Sequence, residues 1–393
     1  MSGKGVRDVV LVGAGHSHIF VLERCIERGA PDARLTLVVD RRIAIYSGMV
    51  PGYVAGQYRV EQLEIDAVGL AERAGARVVL DPAVGIDPVG RRILLEDAPS
   101  VPYDLASFDI GSTVTGLDVP GIRQHALPTR PIGEFVEEVD ALVEKARRYD
   151  RGDLFQVVVV GAGAGGVELA FALDQRLQGA TKRTLRVVLL EFGPRILSRY
   201  PSSLVRRVHR CAASRGLEIH CNQEVVAAEE GAVLLRDGGR VPCQALIWVT
   251  GPKSHPLFRR SGLATDERGF VLVRPTLQFR DHDDLFAVGD CATLSQHPNT
   301  PKAGVYAVRQ GPYITDNLYA ALEGRPLRAY KPQADFLTLL NLGDGRALGA
   351  KWGVTFEGRW VMRWKDRIDR RFMRRFQTLA RGGPANQDTP PTS

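Results

Sequence analysis

The chain has 393 residues, 44% of them apolar and 25% charged, with a formal net charge of +7. That length allows two domains with sizeable cores, and that composition is ordinary for a soluble globular protein. The basic balance suits a nucleic acid, an anionic membrane surface or plain solubility, but no aromatic–basic platform, zinc spacing or helix-turn-helix pattern accompanies it, so no nucleic acid partner and no metal are expected. The five cysteines, Cys25, Cys211, Cys221, Cys243 and Cys291, form no C-x-x-C. An odd set without close pairs reads as reduced thiols in a cytoplasmic compartment.

The first apolar run, 6–12, is expected as a strand rather than an export signal. It breaks into Gly13-Ala14-Gly15-His16-Ser17-His18, and a helix over 16–29 follows with Ile19, Leu22 and Ile26 on one face. A second strand, 35–39, ends at Asp40, which completes a βαβ unit closed by an acid. Residues 44–60 read as loop, 65–74 as helix, and 77–80, 83–87, 92–95 and 103–110 as strands. The stretch 116–131 has the glycine and proline content of a connection, and 133–148 the spacing of an amphipathic helix.

A second βαβ unit spans 156–191 around Gly161-Ala162-Gly163-Ala164-Gly165-Gly166. Its apolar window carries glycines and Glu168, so it is a strand–loop–helix unit rather than a membrane span. Strands are expected near 217–220, 224–229, 232–235 and 245–249, and again over 285–288, which ends at Gly289-Asp290. A helix starts at Gly304 and runs to about 321. The tail holds a β-like piece (336–342 and 347–356), a basic helix over 360–379 and a polar, proline-rich end, 382–393, expected to be disordered.

Each glycine loop is a candidate phosphate cradle. The first glycine permits the tight turn, the second lets backbone approach a diphosphate, and the third lets helix and strand pack closely. Gly161, Gly163 and Gly166 supply all three. The first loop supplies Gly13 and Gly15 but has His18 at the third place, where its ring must pack or find a partner. Asp40 and Glu191 stand where a carboxylate binds a ribose hydroxyl; because a carboxylate repels a 2′-phosphate, Glu191 favours NADH over NADPH, although Arg195 and Arg199 follow closely. Two such loops suggest two nucleotides facing each other for hydride transfer.

The order of motifs resembles the two-dinucleotide-binding-domain flavoproteins, the α/β fold of glutathione reductase and type II NADH dehydrogenase. The resemblance rests on the two loops, the strand ends Ile110-Gly111-Ser112 and Val249-Thr250-Gly251, and Phe286-Ala287-Val288-Gly289-Asp290. It implies a split FAD domain (1–125 and 266–330), an NAD(P)H domain (126–265) and a C-terminal segment (331–381). FAD would be held by Gly13, Ala14, Gly15, His16, Ser17, His18, Asp40, Arg41, Ser47, Val84, Gly111, Ser112, Gly289, Asp290, Lys302 and Ala303. NADH, or NADPH, would be held by Gly161, Ala162, Gly163, Ala164, Gly165, Gly166, Glu191, Thr250 and Gly251. The segments 12–18, 46–52, 300–310 and 364–373 are also similar to the flavoprotein module fused to selenophosphate synthetase, here free-standing.

The resemblance gives Glu168 a place at the nicotinamide–flavin junction, with a helix-capping or solvated acid as the alternative. Lys302 and Lys365 would approach the flavin. The dithiol of disulfide reductases is missing from 46–56, so electrons would pass directly from NADH to flavin and on to a quinone or other small acceptor. A slow redox-sensing flavoprotein like apoptosis-inducing factor, or a donor in selenium metabolism, are the alternatives. The quinone-binding pattern of type II dehydrogenases is only partly matched: Gly304-Val305 and Arg309-Gln310 stand there, with only Gln310 an amide. In the basic helix Val361, Trp364, Ile368, Phe372, Phe376 and Leu379 recur every three or four residues among arginines. Such a seam could lie on the inner face of an anionic membrane, dock on the core or join a homodimer.

Overall fold

The computed structural model describes residues 6–29 and 32–383. Of the stretch 382–393 expected to be disordered, Gly382 and Gly383 are described and 384–393 lie outside the described residues. Two five-stranded parallel sheets organise the chain. The first has the order Leu285–Ala287, Leu105–Phe108, Arg7–Val12, Ala33–Val39, Arg77–Leu80. The second has the order Leu127–Pro128, Ala245–Trp248, Leu154–Val160, Thr184–Leu190, Glu218–His220. Central strands are covered on both faces, so they read as unbroken apolar runs rather than alternating ones. Val10, Leu11, Val157, Val158 and Val159 are all fully buried. A three-stranded antiparallel sheet accompanies each parallel one, Ala83–Asp87 with Arg92–Leu95 and Val101–Pro102, and Val225–Glu229 with Ala232–Leu235 and Arg240–Pro242.

The two halves are tied where the chain crosses between them. Thr113–Val114 pairs antiparallel with Pro252–Lys253, and the Thr115 amide donates to the Gly251 carbonyl at 2.8 Å. This short ladder ties the segment that follows Gly111 at the end of one sheet to the segment that follows Gly251 at the end of the other.

The connection expected over 116–131 contains the turn Ile122–His125 and the edge strand Leu127–Pro128, and three further segments differ from the sequence reading. Residues 44–60 are not simply loop: Val50–Val54 is a buried helical turn. Its Pro51 and Gly52 hide it from propensity, and burial against the helix Ala164–Gln178 stabilises it instead. The helix Ser202–Arg215 is unforeseen; its arginines obscure a seam of Leu204, Val205, Val208, Cys211 and Ala212. The apolar seam of the C-terminal helix, Arg359–Ala380, is split. Val361, Phe376 and Leu379 enter the core with Met362 and Met373, whereas Trp360, Trp364 and Ile368 stay exposed.

Candidate active site

The first loop closes one side of a cavity of about 470 Å³. Gly13, Ala14, Gly15, His16, Asp40, Arg41, Ser47, Val84, Gly111, Ser112 and Asp290 all line it. Gly13 has φ +83°, and a Cβ there would lie 2.5 Å from the Asp109 carbonyl oxygen. A Cβ on Gly15 would collide with the Asp109 carboxylate. The loop is therefore pressed against the end of the strand Leu105–Phe108, and only glycine fits.

Asp109 was missed by sequence reasoning. Its carboxylate accepts from the amides of Ser17 at 2.7 Å and His18 at 3.1 Å, so it caps the first helix from a distant strand. Burial lifts its pKa to about 7 against the pull of those amides. The ring of His18 is held by protein at both nitrogens. Nδ1 lies 2.6 Å from the Gly13 carbonyl and Nε2 2.8 Å from the Ser107 hydroxyl. A carbonyl only accepts, so Nδ1 carries the proton and Nε2 accepts from Ser107. Burial lowers the pKa to about 4 and keeps the ring neutral. Ser17 donates its hydroxyl to the Ala307 carbonyl at 2.7 Å. Ser17 and His18 thus brace the loop, and neither lines the cavity.

Arg130 was also missed. It lines the cavity from the connection between the sheets, donates to Asp290 Oδ2 at 2.8 Å and contacts the Ser112 hydroxyl. Arg41 and Arg260 add further cationic groups to the wall, and His255, whose pKa burial lowers, stands there as well. His16 lies between the cavity and the C-terminal helix; its ring is 5.3 Å from Tyr46 and 6.2 Å from Phe372, and its buried Nε2 has no partner. Gly289 has φ +68°, and its amide donates to Gln310 Oε1 at 2.6 Å. Gln310, the one amide of the quinone pattern, is thus spent on that turn, and Arg309 is exposed. Ala303 precedes the late helix, Gly304–Glu323, as its N-cap.

Lys302 does not face the cavity. Its ammonium is held by the Ala292 carbonyl and, at 2.9 Å, by the Thr293 hydroxyl, and lies 4.3 Å from the centre of the Phe270 ring. Burial lowers its pKa to about 8. The approach to the flavin expected of it is corrected by these contacts.

The second loop is open. A Cβ on Gly163 would meet nothing within 4 Å, which leaves its backbone approachable. A Cβ on Gly161 would lie 2.6 Å from the Val249 carbonyl oxygen, and one on Gly166 would collide with the Gly161 carbonyl. These two glycines pack helix on strand and the third clears space. Ala164 and Gly165 begin the helix at that opening. Glu191 accepts from the amides of Ala162 at 2.8 Å and Gly193 at 2.9 Å, so its carboxylate is fixed beside the loop. Arg195 donates to the Tyr200 carbonyl at 2.8 Å instead. The Thr250 hydroxyl donates to the Thr115 carbonyl at 2.6 Å, which locks the strand-end turn with Gly251.

Glu168, on the helix of the second loop, and Lys365, on the C-terminal helix, act on each other electrostatically. Glu168 accepts from the Asn341 amide at 2.8 Å. Burial raises its pKa to about 7, although Lys365 pulls it down. Lys365, on the C-terminal helix, donates to the Gly48 carbonyl at 2.7 Å and to Asp369 at 2.8 Å. Burial disfavours its charge, but Asp369 and Glu168 outweigh that and raise its pKa. Tyr46, on the cavity wall, donates to the other oxygen of Asp369 at 3.1 Å. A chain of charged groups therefore runs from the second-loop helix to the cavity edge.

The five cysteines are free, and Cys291 is fully buried with its thiol on the Val288 carbonyl at 3.1 Å. Among the described residues no cluster could hold a metal ion.

Two parallel sheets, each with a glycine loop and a strand-end acid, make this the α/β fold of FAD/NAD-dependent oxidoreductases. The chain belongs to the pyridine nucleotide-disulphide oxidoreductase family, whose profile matches residues 7–311. It is 25% identical over 333 residues to an NADH dehydrogenase-like protein of Bacillus subtilis, with 84% of this chain and 87% of that one aligned. It is 21% identical over 384 residues to a type II NADH:quinone oxidoreductase of Staphylococcus saprophyticus, with 93% and 94% aligned. Its fold superposes on the sulfide:quinone oxidoreductase of Aquifex aeolicus with a TM-score of 0.80 at 17% identity, covering 95% and 92% of the chains. It superposes on NDH2 of Plasmodium falciparum in complex with NADH with a TM-score of 0.79 at 11% identity, covering 96% and 98%.

Proposed function

We propose that this protein is an FAD-dependent NADH dehydrogenase that passes electrons to a quinone or other small acceptor without a cysteine relay. The observation that carries the reading is the pairing of a glycine loop that lines a cavity of about 470 Å³ with a second glycine loop open to solvent. The cavity at the first loop suits a resident cofactor, and Arg41, Arg130 and Arg260 in its wall suit a diphosphate. The open second loop suits a nucleotide that comes and goes. Bound FAD supplies a two-electron carrier that accepts hydride from the nicotinamide and gives electrons to the acceptor.

The chain's own residues position and tune. The loop amides and the start of the first helix face the diphosphate. Glu191, pinned by two amides, binds the ribose hydroxyl and disfavours a 2′-phosphate, so NADH is the preferred donor and NADPH the poorer one. Glu168, poised near neutrality, holds or releases a proton at its carboxyl between the sites. Lys365 brings a buried positive charge to the Gly48 carbonyl at the cavity edge, where it favours negative charge on the reduced cofactor.

The C-terminal helix supports a peripheral place on an anionic membrane. Trp360 and Trp364 are 50% and 41% exposed, stacked at 6.4 Å, and Ile368 continues the row at 42%. Arg359, Arg363 and Arg367 flank it. Among the described residues no helix is long and apolar enough to cross a membrane. Aromatic side chains in a basic border suit an interfacial contact with anionic lipid better than a second copy of an equally basic surface.

An acceptor screen on the reduced holoprotein tests the exit. Soluble quinones should reoxidise it within the turnover time in stopped flow. A reduced complex that outlives every quinone and selenium compound tried would favour the redox-sensing alternative.

A further inference from the structure

The strand end that carries Glu191 also carries a side chain that the fold does not use. Phe192 is 76% exposed. The residues before it, Val187, Val188, Leu189 and Leu190, are each at most 3% exposed. Most aromatic rings of this chain have neighbours, but Phe192 has no ring partner among the described residues. A lone exposed apolar side chain means little in itself. Its place is what matters.

The backbone on both sides of Phe192 is clamped. The Glu191 amide donates to the His220 carbonyl and the Gln223 amide to the Glu191 carbonyl, both at 2.9 Å. The Gly193 amide returns to the Glu191 carboxylate at 2.9 Å, and the Asn222 amide donates to the Gly193 carbonyl at 2.9 Å. A rigid turn therefore holds a solvated ring one residue from the acid fixed against the glycine loop. In an adenine dinucleotide the base is bonded directly to the ribose whose hydroxyls meet such an acid. The base must lie within one sugar's length of Glu191.

We propose that Phe192 is the platform on which the adenine ring of the pyridine nucleotide stacks. The proposal rests on the reading that the second loop holds NADH. It makes Phe192 a positioning residue for the adenosine half of the donor and not for the nicotinamide. Base–aromatic stacking measured by alanine substitution corresponds to roughly a 5- to 150-fold change in affinity. No clamp of the fold depends on the ring, so its removal leaves the turn in place.

The test uses the holoprotein with Phe192→Ala, Phe192→Leu and Phe192→Tyr. Dissociation constants are measured for NADH and for ADP-ribose, and reduced nicotinamide mononucleotide serves as a donor without adenosine. Phe192→Ala should weaken NADH and ADP-ribose at least fivefold, leave the mononucleotide unchanged and keep turnover at saturating NADH. Phe192→Tyr should restore affinity, and Phe192→Leu should restore it only in part. Unchanged binding of NADH and ADP-ribose to Phe192→Ala overturns the proposal, and so does equal weakening of the mononucleotide. Glu191→Ala and Gly166→Ala separate the two levels. If they weaken ADP-ribose and Phe192→Ala does not, stacking alone fails. If none of the three affects ADP-ribose, the second loop is not the nucleotide site.

Discussion

Replacing Glu168 by Gln removes a titrating group while keeping an oxygen for the Asn341 amide, which now donates to Glu168 at 2.8 Å. The folded chain holds this carboxyl at about 7 against an ordinary 4.5. Between those values the native state binds a proton that the unfolded state has lost. Stability from this group is therefore fully present below pH 4.5 and is lost as the pH rises through 7. Holding the carboxyl at about 7 instead of 4.5 amounts to about 3 kcal/mol. About 2 kcal/mol of that should disappear between roughly pH 5.5 and 8.5. Asp109 titrates in the same window, but equally in both proteins, so it cancels from the difference. Denaturant unfolding of wild type and Glu168→Gln at several pH values should show the variant gaining on the wild type as pH rises. If Glu168 serves the reaction, the variant should lose turnover while gaining alkaline stability, and its pH–rate profile should lose the step near neutrality. Parallel stability curves for the two proteins would refute the reasoning.

Lys365→Met strips Asp369 of its buried cation and should destabilise the fold by about 3–5 kcal/mol, read by denaturant unfolding. It should also move the Glu168-linked step in the pH–rate profile upward, because Lys365 holds that pKa down. Glu191→Ala should narrow the preference for NADH over NADPH in kcat/KM; unchanged selectivity would count against the role of this acid. Replacing Trp360 and Trp364 together by Ser should reduce binding to anionic lipid vesicles at least tenfold and leave soluble turnover intact, because both rings lie outside the core. Equal vesicle binding would place the membrane contact elsewhere.

Much of the fold is legible in the chain because buried parallel strands write themselves as apolar runs that break into glycine. The run before Gly161 and the acid at Glu191 give a complete βαβ unit with no tertiary information. The helix Val50–Val54 is illegible for the opposite reason: five residues with Pro and Gly owe their shape to what they pack against. The cavity residues close to the loops could be placed from motif order. Asp109 and Arg130 could not, because they reach the loop and Asp290 from segments distant in sequence and carry no local pattern. Lys302 shows the reverse error. The family resemblance puts it near the flavin, but a lysine has a long stem, and its ammonium lies on the Ala292 carbonyl instead. The C-terminal helix is arginine-rich enough that periodicity alone merged two faces, one docked through Val361, Lys365, Asp369 and Phe376 and the other left to solvent.

The central claim is direct passage of electrons from NADH to a flavin held at the first loop. Anaerobic titration of the purified yellow holoprotein with NADH measures it. The flavin absorbance should bleach with one equivalent of NADH and without any change in thiol count. A flavin that stays oxidised under excess NADH and NADPH would contradict the account.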